Sequence, residues 1–106
     1  MKRQNFLSNI PTNISQEIIE TIISSEHIRI ERIISMGHSS PENFWYDQLE
    51  NEWVLLLEGK AMIKFDDESV ITLHKGDYIL IPAHQKHRVE WSDPEHRTIW
   101  LTIFFK

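Results

Sequence analysis

The chain has 106 residues, 41% of them hydrophobic and 25% charged, which is ordinary for one globular domain. Its 16 acidic and 11 basic side chains give a formal net charge of -5 without a strong basic cluster, so nucleic acid is not an expected partner. The absence of cysteine excludes disulfides, thiolate metal sites and cysteine nucleophiles. Apolar runs are too short for a signal peptide or a membrane-spanning helix, so we expect a cytoplasmic protein that does not bind membranes.

The first 26 residues differ in pattern from the rest and are predicted to form an arm that contains one short helix. Ser15 is a suitable N-cap, and Glu17 and Glu20 would lie near the positive end of the helix dipole. Five isoleucines fall at helical spacing: Ile14, Ile18, Ile19, Ile22 and Ile23. We therefore predict that this isoleucine stripe packs against a neighbouring surface.

Residues 27–106 are predicted to form a single all-β barrel. In HIRIERIIS, polar and apolar residues alternate, which is typical of a strand with Ile28 and Ile30 on one face. The short apolar runs that follow are separated by turn sequences at 58–59, 66–69, 75–77 and around Pro94. Such close spacing is typical of sandwiches and small barrels rather than of alternating strands and helices.

Two of the predicted strands, 54–57 and 99–105, are apolar on both faces. A strand with one face in water would alternate, so the outer surface of these strands should be covered. The N-terminal helix would cover part of it, and a second subunit would cover the rest, because large apolar patches are uncommon on monomers. We therefore expect a homodimer; the alternative is a two-sheet sandwich with both faces internal.

Two stretches resemble the motifs of the cupin superfamily. Gly76, Pro82 and His87 have the spacing of its second motif, and Glu52 followed by Gly59 has the spacing that ends its first motif. The glycines can supply positive φ at sharp turns, and the proline fixes the backbone at a strand end. The resemblance implies a small single-domain cupin, with a double-stranded β-helix or jelly-roll barrel of the RmlC-like type and a pocket inside.

The resemblance also implies where a metal would bind. In metal-binding cupins, two histidines and a glutamate of the first motif and one histidine of the second hold a divalent ion, and the last two positions correspond to Glu52 and His87 here. In one spacing of the first motif, Tyr46 and Gln48 stand where the family has its two histidines; in the other spacing, Trp45 and Asp47 stand there. Strand parity favours the first spacing, because Tyr46, Gln48 and Glu52 would then point into one cavity.

Six residues are predicted to line the pocket: Tyr46, Gln48, Glu52, His84, His87 and Trp91. Trp91 stands where the family has an asparagine and shares parity with His87, so it should narrow the cavity. His84 is either a third metal ligand or a residue of the pocket rim. If it is a ligand, Glu52, His84 and His87 would hold one Fe, Mn, Ni or Zn ion with positions open for substrate. Without a metal, Glu52 would instead bond to Tyr46 or His87 in a satisfied polar network.

Two functions fit these residues. The first is a barrel that binds a small-molecule ligand, whose orientation the polar side chains would fix. The second is a metal-dependent cupin enzyme, acting as a dioxygenase, isomerase or lyase on a small organic substrate, with Tyr46 as its general acid or orienting donor. The missing first-motif histidines favour the binding function, and the chain has no nucleophile elbow, phosphate loop or dinucleotide fingerprint.

Overall fold

The computed structural model describes all 106 residues and confirms the all-β prediction. Its eight strands are β1 (Ile18–Ser24), β2 (Ile28–Ser35), β3 (Asn51–Glu58), β4 (Lys60–Phe65), β5 (Val70–His74), β6 (Tyr78–Ile81), β7 (His87–Ser92) and β8 (Thr98–Phe105). One sheet has five strands in the order β1-β2-β8-β3-β6, and the other has three in the order β5-β4-β7. All strand pairs are antiparallel. The fold contains no helix that could cross a bilayer.

The predicted N-terminal helix is wrong, because residues 18–24 form the edge strand β1 and pair with β2. Ile18 faces Ile34 and Ile23 faces Ile30, but the register shifts between Thr21 and Ile23. This bulge breaks the alternation that would have marked a strand in the sequence. The run is rich in β-branched residues, which favour an extended backbone over a helix when a sheet edge is available.

The residues before β1 form an irregular arm that lies against the outer face of β1 and β2. Arg32, a buried residue of β2, donates hydrogen bonds to the carbonyl oxygens of Phe6 and Ser8, both at 2.8 Å. Its Nη2 also donates to Glu20 Oε1 at 2.7 Å. The arm therefore covers part of the outer sheet face, which is the role that the sequence assigned to a helix.

The apolar core fills only one part of the space between the sheets. Seven buried side chains form it: Val54, Leu56, Ala61, Ile63, Leu73, Ile81 and Trp100. Three of them, Val54, Ile63 and Trp100, also line a cavity that begins where the core ends. The barrel is thus packed on one side of these residues and hollow on the other.

Two turns use glycine with positive φ, as the motif spacing predicted. Gly59, between β3 and β4, has a φ of 95°, and Gly76, before β6, has a φ of 89°. A Cβ at Gly59 would lie 2.5 Å from Thr98 Oγ1 and 2.7 Å from Thr98 Cα, whereas one at Gly76 would meet nothing within 4 Å. Both turns need a left-handed residue, but only the turn at Gly59 also lacks room for a side chain.

Candidate functional site

The cavity between the two sheets has a volume of ≈ 200 Å³ and is lined by 15 residues, eight of them hydrophobic. Pockets for drug-sized ligands occupy about 300–1,000 Å³, so this one suits a smaller molecule. The seven polar side chains, together with Tyr46, which is one of the eight counted as hydrophobic but carries a hydroxyl, fall into two sets. The motif group consists of Tyr46, Gln48, Glu52 and His87, and the sheet group consists of Glu17, Arg29, Glu31 and Thr102.

Glu52 and His87 form the centre of the motif group. Glu52 lies on β3, and His87 begins β7 in the other sheet. His87 Nε2 is 3.1 Å from Glu52 Oε1, and the two side chains are 6% and 12% exposed. Gln48 Nε2 donates to the same carboxylate oxygen at 3.0 Å. These contacts form the buried polar network that the sequence offered as the alternative to a metal site.

The contact of the second ring nitrogen shows where His87 carries a hydrogen. His87 Nδ1 lies 2.8 Å from the carbonyl oxygen of Gln85, which can only accept a hydrogen bond, so Nδ1 carries a hydrogen. Burial lowers the pKa of His87, but the hydrogen bonds to Glu52 and Gln85 outweigh this effect and raise the pKa above its usual value. The geometry therefore favours an imidazolium paired with the Glu52 carboxylate.

Tyr46 is positioned by the backbone of His87. The Tyr46 amide donates to the His87 carbonyl at 2.8 Å, the reverse bond measures 3.2 Å, and the two rings stack with centroids 5.4 Å apart. Tyr46 lines the cavity and is 36% exposed, so it lies at the opening. Burial, followed by the nearby carboxylates of Glu17, Glu52 and Glu31, raises the pKa of Tyr46. The phenol is therefore a neutral hydrogen-bond donor at physiological pH.

His84 does not join this group. Its side chain is 62% exposed, and its Nδ1 lies 2.8 Å from Asp47 Oδ1 on the outside of the turn. The backbone of His84 is left-handed, with a φ of 65°, and its amide donates to the Gln48 carbonyl. This conformation turns the imidazole away from Glu52 and His87. The chain contains no group of three or more His, Cys, Asp or Glu side chains placed to hold a metal ion, so the predicted three-ligand metal set is not assembled.

Trp91 also lies outside the cavity lining, contrary to the parity argument. In the β4–β7 pair, Ile63 faces Val89, but the next partner of β7 is Trp91 opposite Met62, so Glu90 is an extra residue. A bulge of this kind reverses which side chains face inward. Val89 lines the cavity, and beyond the bulge Ser92, not Trp91, is the buried residue.

The sheet group was missed by the sequence analysis. Arg29 and Glu31 lie on β2 and line the cavity, as does Ile33, so the alternating Ile28 and Ile30 occupy the outer face. Arg29 Nε donates to Glu31 Oε2 at 3.1 Å and Nη1 to Glu50 Oε1 at 3.2 Å, while the guanidinium lies 4.2 Å from the centre of the Phe104 ring. The alternation did contain this signal, because Arg29 and Glu31 share one face of the strand.

The two remaining members of the sheet group have few partners. Glu17 Oε2 accepts a hydrogen bond from Ser35 Oγ at 3.0 Å, and Ser35 Oγ accepts one from Trp100 Nε1 at 3.2 Å. No cationic side chain forms a salt bridge with Glu17. Thr102 is 1% exposed, and its Oγ1 is buried without a hydrogen-bond partner. Within the protein, Glu17 therefore lacks a cationic partner and the Thr102 hydroxyl lacks any hydrogen-bond partner.

Fold and site together define a small β-barrel with a polar internal cavity. The Cupin domain family matches residues 33–104 of the chain, and this protein belongs to that family. No curated protein matches the sequence significantly.

Solved structures agree with this assignment. A protein of Ralstonia eutropha JMP134, for which mannose-6-phosphate isomerase activity has been proposed, is 36% identical with a TM-score of 0.93, covering 100% of this chain and 99% of that one. A cupin superfamily protein of Desulfitobacterium hafniense DCB-2 is 24% identical with a TM-score of 0.81, covering 99% and 92%. An RmlC-like cupin of Desulfovibrio desulfuricans is 20% identical with a TM-score of 0.74, covering 98% and 96%. The last two comparisons support the fold alone.

Proposed function

We propose that this cupin binds a small organic molecule in the barrel cavity. The observation that carries the proposal is the ≈ 200 Å³ cavity itself, with apolar walls and polar groups on more than one strand. Both hydrogen bonds of the Glu52 side chain go to Oε1, which leaves Oε2 as an acceptor for a ligand. Tyr46 supplies a donor at the opening. Such a mixture of apolar surface and a few placed polar groups is typical of small-molecule sites.

The divalent metal of the family does not fit the residues present. In the motif group the donor set contains one imidazole and one carboxylate, and these two bind each other through Nε2 and Oε1. Gln48, in one first-motif position, donates to Glu52, so its amide nitrogen points at the carboxylate where a ligand oxygen would be needed. The imidazole of His84 contacts Asp47. We therefore derive no chemistry through a metal.

A thermal-shift series tests the binding function. Sugars, amines, carboxylic acids and phosphate esters are added separately to the native protein, with and without Fe²⁺, Mn²⁺, Ni²⁺ or Zn²⁺. We expect one class to raise Tm without metal, because a ligand that binds only the folded state stabilises it. If no class does so, the binding function is wrong; if the rise requires a metal ion, the metal-dependent alternative is right.

Two variants locate the binding. Val89→Trp fills the cavity, since Val89 lines it, and should lose the ligand-dependent rise in Tm. Val70→Trp, at an exposed position of β5, is the matched control and should keep it. A rise that survives in a folded Val89→Trp variant would place the ligand elsewhere on the protein.

Acid–base isomerisation of a small sugar is a second candidate, favoured by the arrangement of Glu52, His87 and Tyr46. Glu52 Oε2 would take a proton from the carbon next to a carbonyl group, and the Tyr46 phenol would hydrogen-bond the carbonyl oxygen. The check is incubation with mannose in deuterium oxide. Isomerisation predicts deuterium at the carbon next to the carbonyl, seen by NMR, and none with Glu52→Gln. Native protein that leaves mannose unlabelled contradicts this candidate.

We also propose that the protein is a homodimer that pairs through the outer face of the five-stranded sheet. On β6, Tyr78 is 64% exposed and Leu80 is 57% exposed, and Trp53 of β3 lies beside Tyr78 with ring centroids 5.4 Å apart. The N-terminal arm covers the β1–β2 end of the sheet, not this end. An exposed apolar patch of this kind can pack against the same patch of a second copy, as a two-fold contact requires.

Light scattering after size exclusion tests the dimer. We expect twice the 12.7 kDa chain mass for the native protein and the single-chain mass for Tyr78→Glu combined with Leu80→Glu. Val70→Glu, on the other sheet, is the control and should remain dimeric. A native protein of single-chain mass contradicts the proposal.

A further inference from the structure

The charges that line the cavity do not balance. Three carboxylates, Glu17, Glu31 and Glu52, face one guanidinium and one imidazole. Glu52 is paired with His87, and Glu31 is paired with Arg29. Arg29 also binds Glu50, so its charge is shared between two carboxylates and none is free for Glu17. The protein leaves an excess of negative charge in the cavity, located on Glu17.

Glu17 is held in place without being neutralised. Its carboxylate accepts a hydrogen bond from the Ser35 hydroxyl, which in turn accepts one from the Trp100 indole. Because Ser35 and Trp100 are both buried, this chain of hydrogen bonds fixes the carboxylate at the cavity wall. A fixed carboxylate beside an apolar cavity attracts a cation more strongly than one in open water.

Thr102 gives an independent indication that something binds here. Its side chain lies on the cavity wall, and its buried Oγ1 has no hydrogen-bond partner within the protein. Buried polar groups in folded proteins are nearly always bonded, so an unpaired hydroxyl at a cavity wall points to a partner supplied by a ligand. Trp100, its neighbour along β8, adds aromatic surface to the same cavity, whereas one face of the Phe104 ring is already covered by Arg29. Aromatic faces favour organic cations.

From this arrangement we propose that the ligand is a small organic ammonium ion, with its charge recognised by Glu17 and a polar group bonded to Thr102. This assignment rests on the proposed binding function and names its ligand class. A phosphorylated ligand is disfavoured, because Arg29 is already bound to two carboxylates and no other arginine or lysine lines the cavity. The site therefore differs in charge preference from what the proposed activity of the Ralstonia relative would require.

Calorimetric titration of matched compounds at neutral pH and low salt tests the assignment. The first set is mannosamine, mannose and mannose 6-phosphate; the second is 3-aminopropanol, 1,3-propanediol and 3-hydroxypropyl phosphate. Within each set the members are cationic, neutral and anionic. We expect the cationic member of at least one set to bind about tenfold more tightly than the neutral one, as one charge-assisted contact allows, and the phosphate not to bind.

Two variants test the residues. Glu17→Gln keeps an acceptor for Ser35 but removes the charge, and it should bring the affinity for the amine down to that for the neutral compound. Thr102→Val should weaken both cationic and neutral members. Glu42→Gln removes the same charge at an exposed position outside the cavity and should change nothing.

The outcomes separate this inference from the proposed function. If a neutral or phosphorylated member binds as tightly as the amine, or the preference survives in Glu17→Gln, the ammonium assignment is wrong and the binding function stands. If no member of either set binds, the assignment is also wrong. The thermal-shift series then decides whether the cavity binds another class or none, in which case both proposals fail.

Discussion

Glu52 accepts hydrogen bonds from His87 and Gln48 on one part of the cavity wall, while Glu17 and Thr102 line the same space with few partners. Glu52 and His87 of the motif group are paired without a ligand, and their contact links the two sheets. The sheet group is incomplete, with a carboxylate that lacks a cation and a hydroxyl that lacks any partner. The difference indicates that the motif group serves mainly the fold and the sheet group mainly recognition.

The largest expected effect comes from breaking the motif group. Glu52→Ala removes the acceptor of both His87 and Gln48, so the free energy of unfolding should fall by about 1.5–3 kcal/mol, as for other hydrogen bonds to charged groups. Urea denaturation at neutral pH measures the change. Glu42→Ala removes an exposed carboxylate and should stay within about 0.5 kcal/mol of the native protein. Equal stability of the two variants would contradict the structural role of Glu52.

In the sheet group, removing the hydroxyl of Thr102 should raise the stability of the protein instead of lowering it. Thr102→Val replaces an unpaired buried hydroxyl by a methyl group of the same size, and the free energy of unfolding should rise by about 1 kcal/mol. Thr98→Val is the matched control on the same strand, since Thr98 Oγ1 donates to the Lys60 carbonyl, and it should destabilise. A loss of stability in Thr102→Val, measured by the same denaturation, would show that the hydroxyl has a partner.

The pairing of protonated His87 with Glu52 should make the stability of the protein depend on pH. Since the folded-state pKa of His87 is raised above its usual 6.5, its stabilising effect is complete below that pH and is lost as the pH rises through the raised value. The native protein should therefore lose stability as the pH increases above about 6.5. The Glu52→Gln variant should lose less stability over the same pH range, whereas the His84→Ala variant should lose as much as the native protein. Identical profiles for the native protein and Glu52→Gln would contradict the pairing.

The smallest expected effect is a change in the pKa of Tyr46. This residue belongs to the motif group, but its pKa depends on the charge of Glu17 in the sheet group. The chain has two tyrosines, so Tyr78→Phe leaves Tyr46 as the only phenol to titrate. After burial, the charge of Glu17 is the largest cause of its raised pKa, so Glu17→Gln in this background should lower that pKa. Ultraviolet absorbance of tyrosinate follows the titration. An unchanged pKa would mean that Glu17 does not act on the cavity opening.

The fold and half of the site could be predicted from the sequence because their patterns are local. Turn residues, including Gly59 and Gly76, separated the strands correctly, and the two family motifs brought Glu52 and His87 together. Turn geometry and motif spacing act over a few residues, and no distant contact overrides them in this barrel.

The remaining predictions depended on contacts between distant residues, which the sequence does not display. The spacing of the isoleucines in residues 18–23 fits a helix, and the segment forms a strand because it pairs with β2. Trp91 faces the wrong way for its parity because Glu90 is an extra residue in the β4–β7 pair. Arg29 and Glu31 look like solvent-facing residues in the sequence, but the structure places them on the cavity wall and the alternating Ile28 and Ile30 on the outer face.

The crowded turn at Gly59 also limits how this sequence can diverge. At Gly76 the only restriction is a left-handed backbone, which asparagine and aspartate adopt more readily than other residues. A selection for folded variants should therefore recover these two replacements at Gly76. At Gly59 it should return glycine alone, since the space that any larger residue would need is taken by Thr98.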